Sequence, residues 1–284
     1  MNSRYFDSNI RRIKEFLDYH DEETLAEINA ICHAHVLALD VDEDKRWSYC
    51  GGDVVDGKLR ILFEPTYLGT NIGQALERDV LMEAINKAED PKREESGLSF
   101  KARLSKRTDY DARIEEIRSK IGEALAKPDI KLTPNLEDTF AKLQAESQVK
   151  GTSLDAKYWE SQVPDWTRGY FDGFLSQLKW QKFDEDDMLQ EGFNEAVDKG
   201  EIAFRVVDKL KFKSYCEFEI EDGVFYLQVR LPLFLRAKSV MCRRLVLLTF
   251  IVVHSQNVGI EYERRGREYH RQAVEYLTRL EVLR

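Results

Sequence analysis

Arg265 and His270 stand five positions apart in the basic stretch Arg265-Gly-Arg-Glu-Tyr-His270. A guanidinium can hold an anion and an imidazole, titrating near neutrality, can pass a proton. On one continuous helix five residues turn the second side chain about 140° from the first, so the two converge only if the helix begins between them. Leu37-Ala-Leu-Asp40-Val-Asp42 sets two carboxylates two apart behind an apolar run, the types of a nucleophile and a proton donor. Cys32-His33-Ala-His35 offers soft ligands, and on a strand His33 and His35 would share a face, with Cys50 as a further ligand. Lys101, Arg103, Lys106 and Arg107 gather four cations within seven residues without an acid, a pattern suited to a phosphate backbone. Tyr158, Trp159, Trp166, Tyr170, Phe171, Phe174, Trp180 and Phe183 form an aromatic-dense stretch that can stack bases or enclose a ligand.

Each cluster also has a plainer reading. Asp40–Asp44 is an acidic solvated turn, and Lys45 and Gly51 stand where a calcium loop needs Gly and Glu. The Cys-His cluster has no paired ligands elsewhere, so no metal and no cofactor is expected. Asp109 and Asp111 follow the basic run, which reads as a solvated linker or docking peptide. The aromatics recur at helical spacing, which suits a core.

Three resemblances add to this. The Arg265-x4-His270 spacing resembles that of HEPN-type ribonucleases, which implies Arg265 on the phosphate and His270 in acid/base transfer, although β-rich sequence precedes it. Asp40-x-Asp42 resembles the strand-end motif of haloacid-dehalogenase-type phosphatases, but Gly52-Asp53-x-x-Asp56 follows too closely for that family's metal-binding acids. From about 211 to 253 a hairpin, the segment Leu231-Pro-Leu-Phe234 and an apolar run resemble YbjN and secretion-chaperone-like α+β domains, which implies binding of other proteins without catalysis.

The 284-residue chain is 43% hydrophobic, enough for a core, and carries a net charge of -9. Residues 201–284 hold 15 Lys and Arg against 11 Asp and Glu, a net of +4, leaving 28 against 41, a net of -13, in residues 1–200. That asymmetry points to an interface, while the overall acidity disfavours nucleic acid and anionic membrane as partners. The four cysteines form no C-x-x-C pair, Met1–Asp7 lacks a signal-peptide core, and the longest apolar run, Leu245–Val253, is nine residues. That run is half of what a membrane helix needs. A cytoplasmic protein without a membrane anchor is expected.

These elements imply an α+β fold with two small antiparallel β-hairpin sheets flanked by helices and a helical middle region. An N-terminal α+β unit spans 1–91, a linker or mobile loop 92–108, and the helical middle with a C-terminal α+β unit 109–284. Val36–Leu39 reads as a buried strand, and Thr133-Pro134 as the start of a helix. Asp56-Gly57 and Asp222-Gly223 mark tight hairpin turns. With Pro65 and Pro232 behind them, they give the two halves one layout, that of a remote duplication read without residue identities. Gly169 and Gly173, one turn apart, allow a second backbone to approach. Tyr262, Gly266, Tyr269, Ala273, Tyr276 and Leu280 form a narrow stripe that suits one partner helix, including that of a second copy. The combined expectation is a non-enzymatic adaptor, inhibitor or chaperone bound to another protein. The alternatives are a ribonuclease using Arg265 and His270 and a nucleic-acid-binding accessory protein.

Overall fold

A computed structural model describes residues 2–152, 154–211 and 216–231, without the side chains of 2–5 and 72. The chain divides between Leu104 and Ser105 into two compact units.

In the first unit, α1 (Asn2–Leu17) and α2 (Glu22–Ile31) precede β1 (Val36–Val41), β2 (Cys50–Val55) and β3 (Lys58–Phe63), followed by α3 (Arg78–Lys87), α4 (Pro91–Ser96) and α5 (Phe100–Ser105). Asp21 caps α2, its carboxylate accepting from the Thr24 amide at 2.7 Å. Asp56 and Gly57, both at positive φ, make the tight turn that pairs β2 with β3 antiparallel. β3 then lies between the other two strands, in the order β1-β3-β2, and pairs with β1 in parallel. The sheet is therefore mixed and not a plain antiparallel hairpin sheet. A two-residue turn dictates only its own pair, whereas the place of β1 is set by burying Leu37 and Leu39 on the helix side. Phe16, Ile28, Ile31, Ile61, Leu81, Ile85 and Phe100 fill the core on that side.

The second unit opens with a π-helical turn (Lys106–Asp111) and α6 (Ala112–Ala124), then β4 (Lys131–Thr133), α7 (Leu136–Ser147), α8 (Trp159–Trp180), α9 (Asp187–Ala196), β5 (Glu201–Val207), β6 (Cys216–Glu221) and β7 (Val224–Arg230). Its sheet runs β4-β5-β7-β6, with β6 and β7 antiparallel and the other two pairs parallel. Thr133 ends a strand instead of capping a helix, because the Lys131 amide bonds the distant Gly200 carbonyl at 2.9 Å; Asn135 takes the cap position.

Residues 92–108, expected as a linker or mobile loop, are helical across α4, α5 and the π turn. The apolar period is absent there because cations fill buried positions. Lys101 and Arg103 are 8% and 7% exposed and are neutralised by acids from other elements of the first unit.

The two units repeat one motif. Asp21 and Asp186 cap the helix before the sheet, and the next strands start at Val36 and Glu201, a shift of 165 in both cases. His35 and Gly200, again 165 apart, both have positive φ. Beyond a one-residue insertion the shift is 166. The Gly57 and Gly223 carbonyls accept from Ala34 and Lys199, at 3.1 and 3.3 Å. Residue identities accompany the layout: Lys45-x-x-Ser48-Tyr-Cys50 and Lys211-x-x-Ser214-Tyr-Cys216 each lead, after five intervening residues, into Asp-Gly.

Candidate functional site

Arg265, His270, Tyr262, Gly266, Tyr269, Ala273, Tyr276 and Leu280 lie outside the described residues, as does Leu231–Val253 beyond Leu231. Gly169 is exposed on α8, and a Cβ there would meet nothing within 4 Å; Gly173 is half-buried on the same helix. Of the four clustered cations, Arg103 donates to Glu27 at 3.0 Å, to Asp90 at 2.7 Å and to the Leu98 carbonyl at 2.6 Å. Lys101 pairs with Glu83, Lys106 pairs with Asp111 at 2.8 Å, and Arg107 is half-buried on the π turn. Two of the four thus serve the interior and are absent from any surface patch.

His33 and His35 precede β1 instead of sharing its face, and the His33 ring lies against the Gly57 turn, where a Cβ would come within 2.5 Å of it. Burial pushes the Cys32 thiol up to about 11, which favours its protonated form at neutral pH. The Cys50 thiol is also raised, by burial and then by Glu77, and donates to the Asn71 carbonyl at 3.0 Å. Among the described residues no three His, Cys, Asp or Glu side chains gather to hold a metal. Phe171, Phe174 and Phe183 are fully buried, so most of the aromatic stretch is core, while Tyr158 and Trp180 are 45% and 60% exposed.

The face of the first sheet opposite the core carries a charged row. The Arg60 guanidinium grips Asp53 with two bonds of 2.8 Å and reaches Asp40 at 3.3 Å, and Arg46 donates to Asp53 at 2.7 Å. Burial alone would raise the Asp53 pKa, but the bonds from Arg60 and Arg46 outweigh it and hold the carboxyl below its ordinary value. The Trp47 ring covers Gly51, where a Cβ would come within 2.1 Å of it. Asp42, read as half of a catalytic carboxylate pair, is 2% exposed and accepts from the Trp47 amide at 2.8 Å, which holds this cover.

The second sheet bears the matching row. Glu219, the counterpart of Asp53, accepts from Arg205 at 2.9 Å, from Gln228 at 2.6 Å and from Lys211. Lys211 first and Gln228 next hold its carboxyl below the ordinary range. The cation has moved from the central strand to the first: Arg205 stands where Asp40 stands in the other unit, and its guanidinium lies 3.9 Å over Tyr226, which stands for Arg60. The acid is retained and its cationic partner relocated, as in a structural pair kept for neutrality.

The repeats differ most along one strand edge. In β1, residues 36, 38 and 40 turn their backbone groups toward β3, the phase set by Ala34 bonding Gly57 and Asp42 bonding Phe63. The carbonyls of His35, Leu37, Leu39 and Val41, and the amides of Leu37, Leu39 and Val41, therefore point away from the sheet. Among the described residues no strand pairs with this side of β1. In β5 the equivalent carbonyls are taken. Gly200 accepts from the Lys131 amide at 2.9 Å, Ile202 lies within the β4 ladder, Phe204 accepts from the Asn135 side chain at 2.8 Å, and Val206 from Lys142 at 2.7 Å. The apolar run Val36–Leu39 predicts a buried strand. Val36 and Val41 are in fact 45% and 40% exposed.

A hollow of about 190 Å³ in the first unit is lined by Arg12, Glu15, Phe16, Tyr19 and Arg78. Arg78 lies 4.3 Å over the Tyr19 ring and Arg12 is 4.0 Å from Glu77, and with Glu15 the lining carries both signs of charge. No helix among the described residues is long and apolar enough to cross a membrane. No protein-family model, no curated protein and no solved structure matches the chain.

Proposed function

We propose that the chain is a non-enzymatic protein-binding or assembly protein, of adaptor, inhibitor or chaperone type, that holds another protein through the edge of its first sheet. One observation carries this reading. The outward backbone groups of β1 have no partner within the described residues of its unit, at the positions where β4, Asn135 and Lys142 seal β5. An open strand edge is a template for strand addition, in which main-chain bonds give affinity and alternate side chains give selectivity. The chemistry of the site agrees, because Cys32 stays protonated and Asp53 is clasped by two guanidiniums, which leaves neither as an activated nucleophile or base.

The test is photo-cross-linking from the strand itself. A photo-reactive residue at Val36 or Val41 is expected to trap a partner protein in extract of the native cell, while one at the 52%-exposed Val149 of the second unit is not. Equal trapping at all three positions, or none at β1, would remove the basis of the proposal.

A further inference from the structure

We infer that the partner segment adds to β1 as a parallel strand, apolar beside Leu37 and Leu39 and cationic beside Asp40. This rests on the protein-binding reading and names the chemistry of the guest. The second unit supplies the template. Leu132 of β4 lies in register with Ile202, whose counterpart is Leu37, while Lys131 and Thr133 lie beside Glu201 and Ala203, the counterparts of Val36 and Ala38. On that polar side the Thr133 hydroxyl donates to Glu201 at 2.6 Å, with the Lys131 ammonium 3.4 Å away. Past the end of β4, Asn135 and Lys142 supply donors to the carbonyls equivalent to Leu39 and Val41.

β1 keeps this geometry and changes the charges. Val36 replaces Glu201 at its start, so a guest needs no cation there. Its far end carries more acid than base on its surface: Asp40 and Asp44 stay 54% and 81% exposed although Arg60 lies 3.3 Å from Asp40 and Arg46 3.9 Å from Asp44, and Glu43 is exposed beside them with Lys45. A parallel guest brings its C-terminal end to this turn, so cations belong late in the segment. Alternation follows from the pleat, since side chains beside Leu37 and Leu39 extend the half-buried apolar layer on the helix side and those between them join the outer, charged face.

The probe is an acetylated, amidated Thr-Leu-Thr-Val-Lys-Val-Lys peptide added to the full-length protein. In the protein alone the amides of Leu37, Leu39 and Val41 should exchange freely with deuterium; with peptide they should slow at least about tenfold. A version with Glu in place of both lysines should bind at least about tenfold more weakly, a gap that narrows with salt. A nitroxide on the peptide N-terminus should broaden Val36 before Val41. Val41→Pro removes one outward donor from an exposed edge position, and should weaken binding about tenfold with an unchanged circular dichroism spectrum. Asp40→Asn gives an independent variant, expected to reduce the preference for lysine.

The inference is overturned if the three amides are already protected without peptide, because the edge is then filled by the chain itself or by a second copy. Absence of binding, binding without protection at β1, indifference to peptide charge, or reversed broadening order also overturns it. Cross-links at Val36 and Val41 combined with indifference to charge would reject only the guest chemistry. Failure of those cross-links would reject the protein-binding reading.

Discussion

Asp53 shows how a residue that looks chemical is made structural. Its carboxylate accepts from Arg60 and Arg46 at 2.7–2.8 Å, and its pKa is held below the ordinary value. A depressed carboxyl stabilises the fold at pH above its unfolded pKa, about 4, and that contribution is lost as pH falls through the lower folded value. Asp53→Asn is therefore expected to be less stable than the parent at pH 7 and to show a shallower loss of stability below about pH 4, measured by urea unfolding across pH. A variant with an unchanged acid limb would show that the clasp adds nothing. The pairing was legible in sequence: Asp53 and Arg60 are equidistant from the Asp56-Gly57 turn, so a two-residue hairpin sets them side by side. Read for acid spacing alone, Asp53 resembled a metal ligand.

At the scale of elements, α5 marks the limit of pattern reading. Lys101, Arg103, Lys106 and Arg107 form a run without apolar period and so read as a loop, yet Arg103 is buried between Glu27 of α2 and Asp90 at the start of α4. A local pattern carries no information about acids 76 and 13 residues away. Removing one partner from a buried ion cluster leaves uncompensated charge, so Arg103→Leu should destabilise the protein by about 3–5 kcal/mol, read as a lower urea midpoint at unchanged slope. A change under about 1 kcal/mol would mean that Glu27 and Asp90 are satisfied without it. β1 fails pattern reading in the opposite direction. Its apolar residues suggest burial, but among the described residues no strand lies along its outer edge.

Across the whole chain the repeat is the organising fact, and its two turns offer a paired test. Gly57 and Gly223 have φ of 69° and 75°, and a Cβ would come within 2.5 Å of the His33 ring in one and 1.7 Å of the Asp198 carboxylate in the other. His33 and Asp198 are themselves 165 apart. Gly57→Ala and Gly223→Ala should each lower stability by about 1–2 kcal/mol through left-handed strain, and a neutral result at either turn would break the equivalence. By itself the sequence determined the α+β class and, among the described residues, both Asp-Gly hairpins and the strand, strand, Asp-Gly, strand order common to the halves. All of these follow from local conformational preference and from side-chain period. Tertiary structure alone decided that β3 inserts between β1 and β2, that Lys101 and Arg103 turn inward, and that β5 receives β4 while β1 receives no strand from the described residues. Those outcomes depend on which distant groups satisfy buried charges and backbone edges, and such pairings leave no periodic trace along the chain.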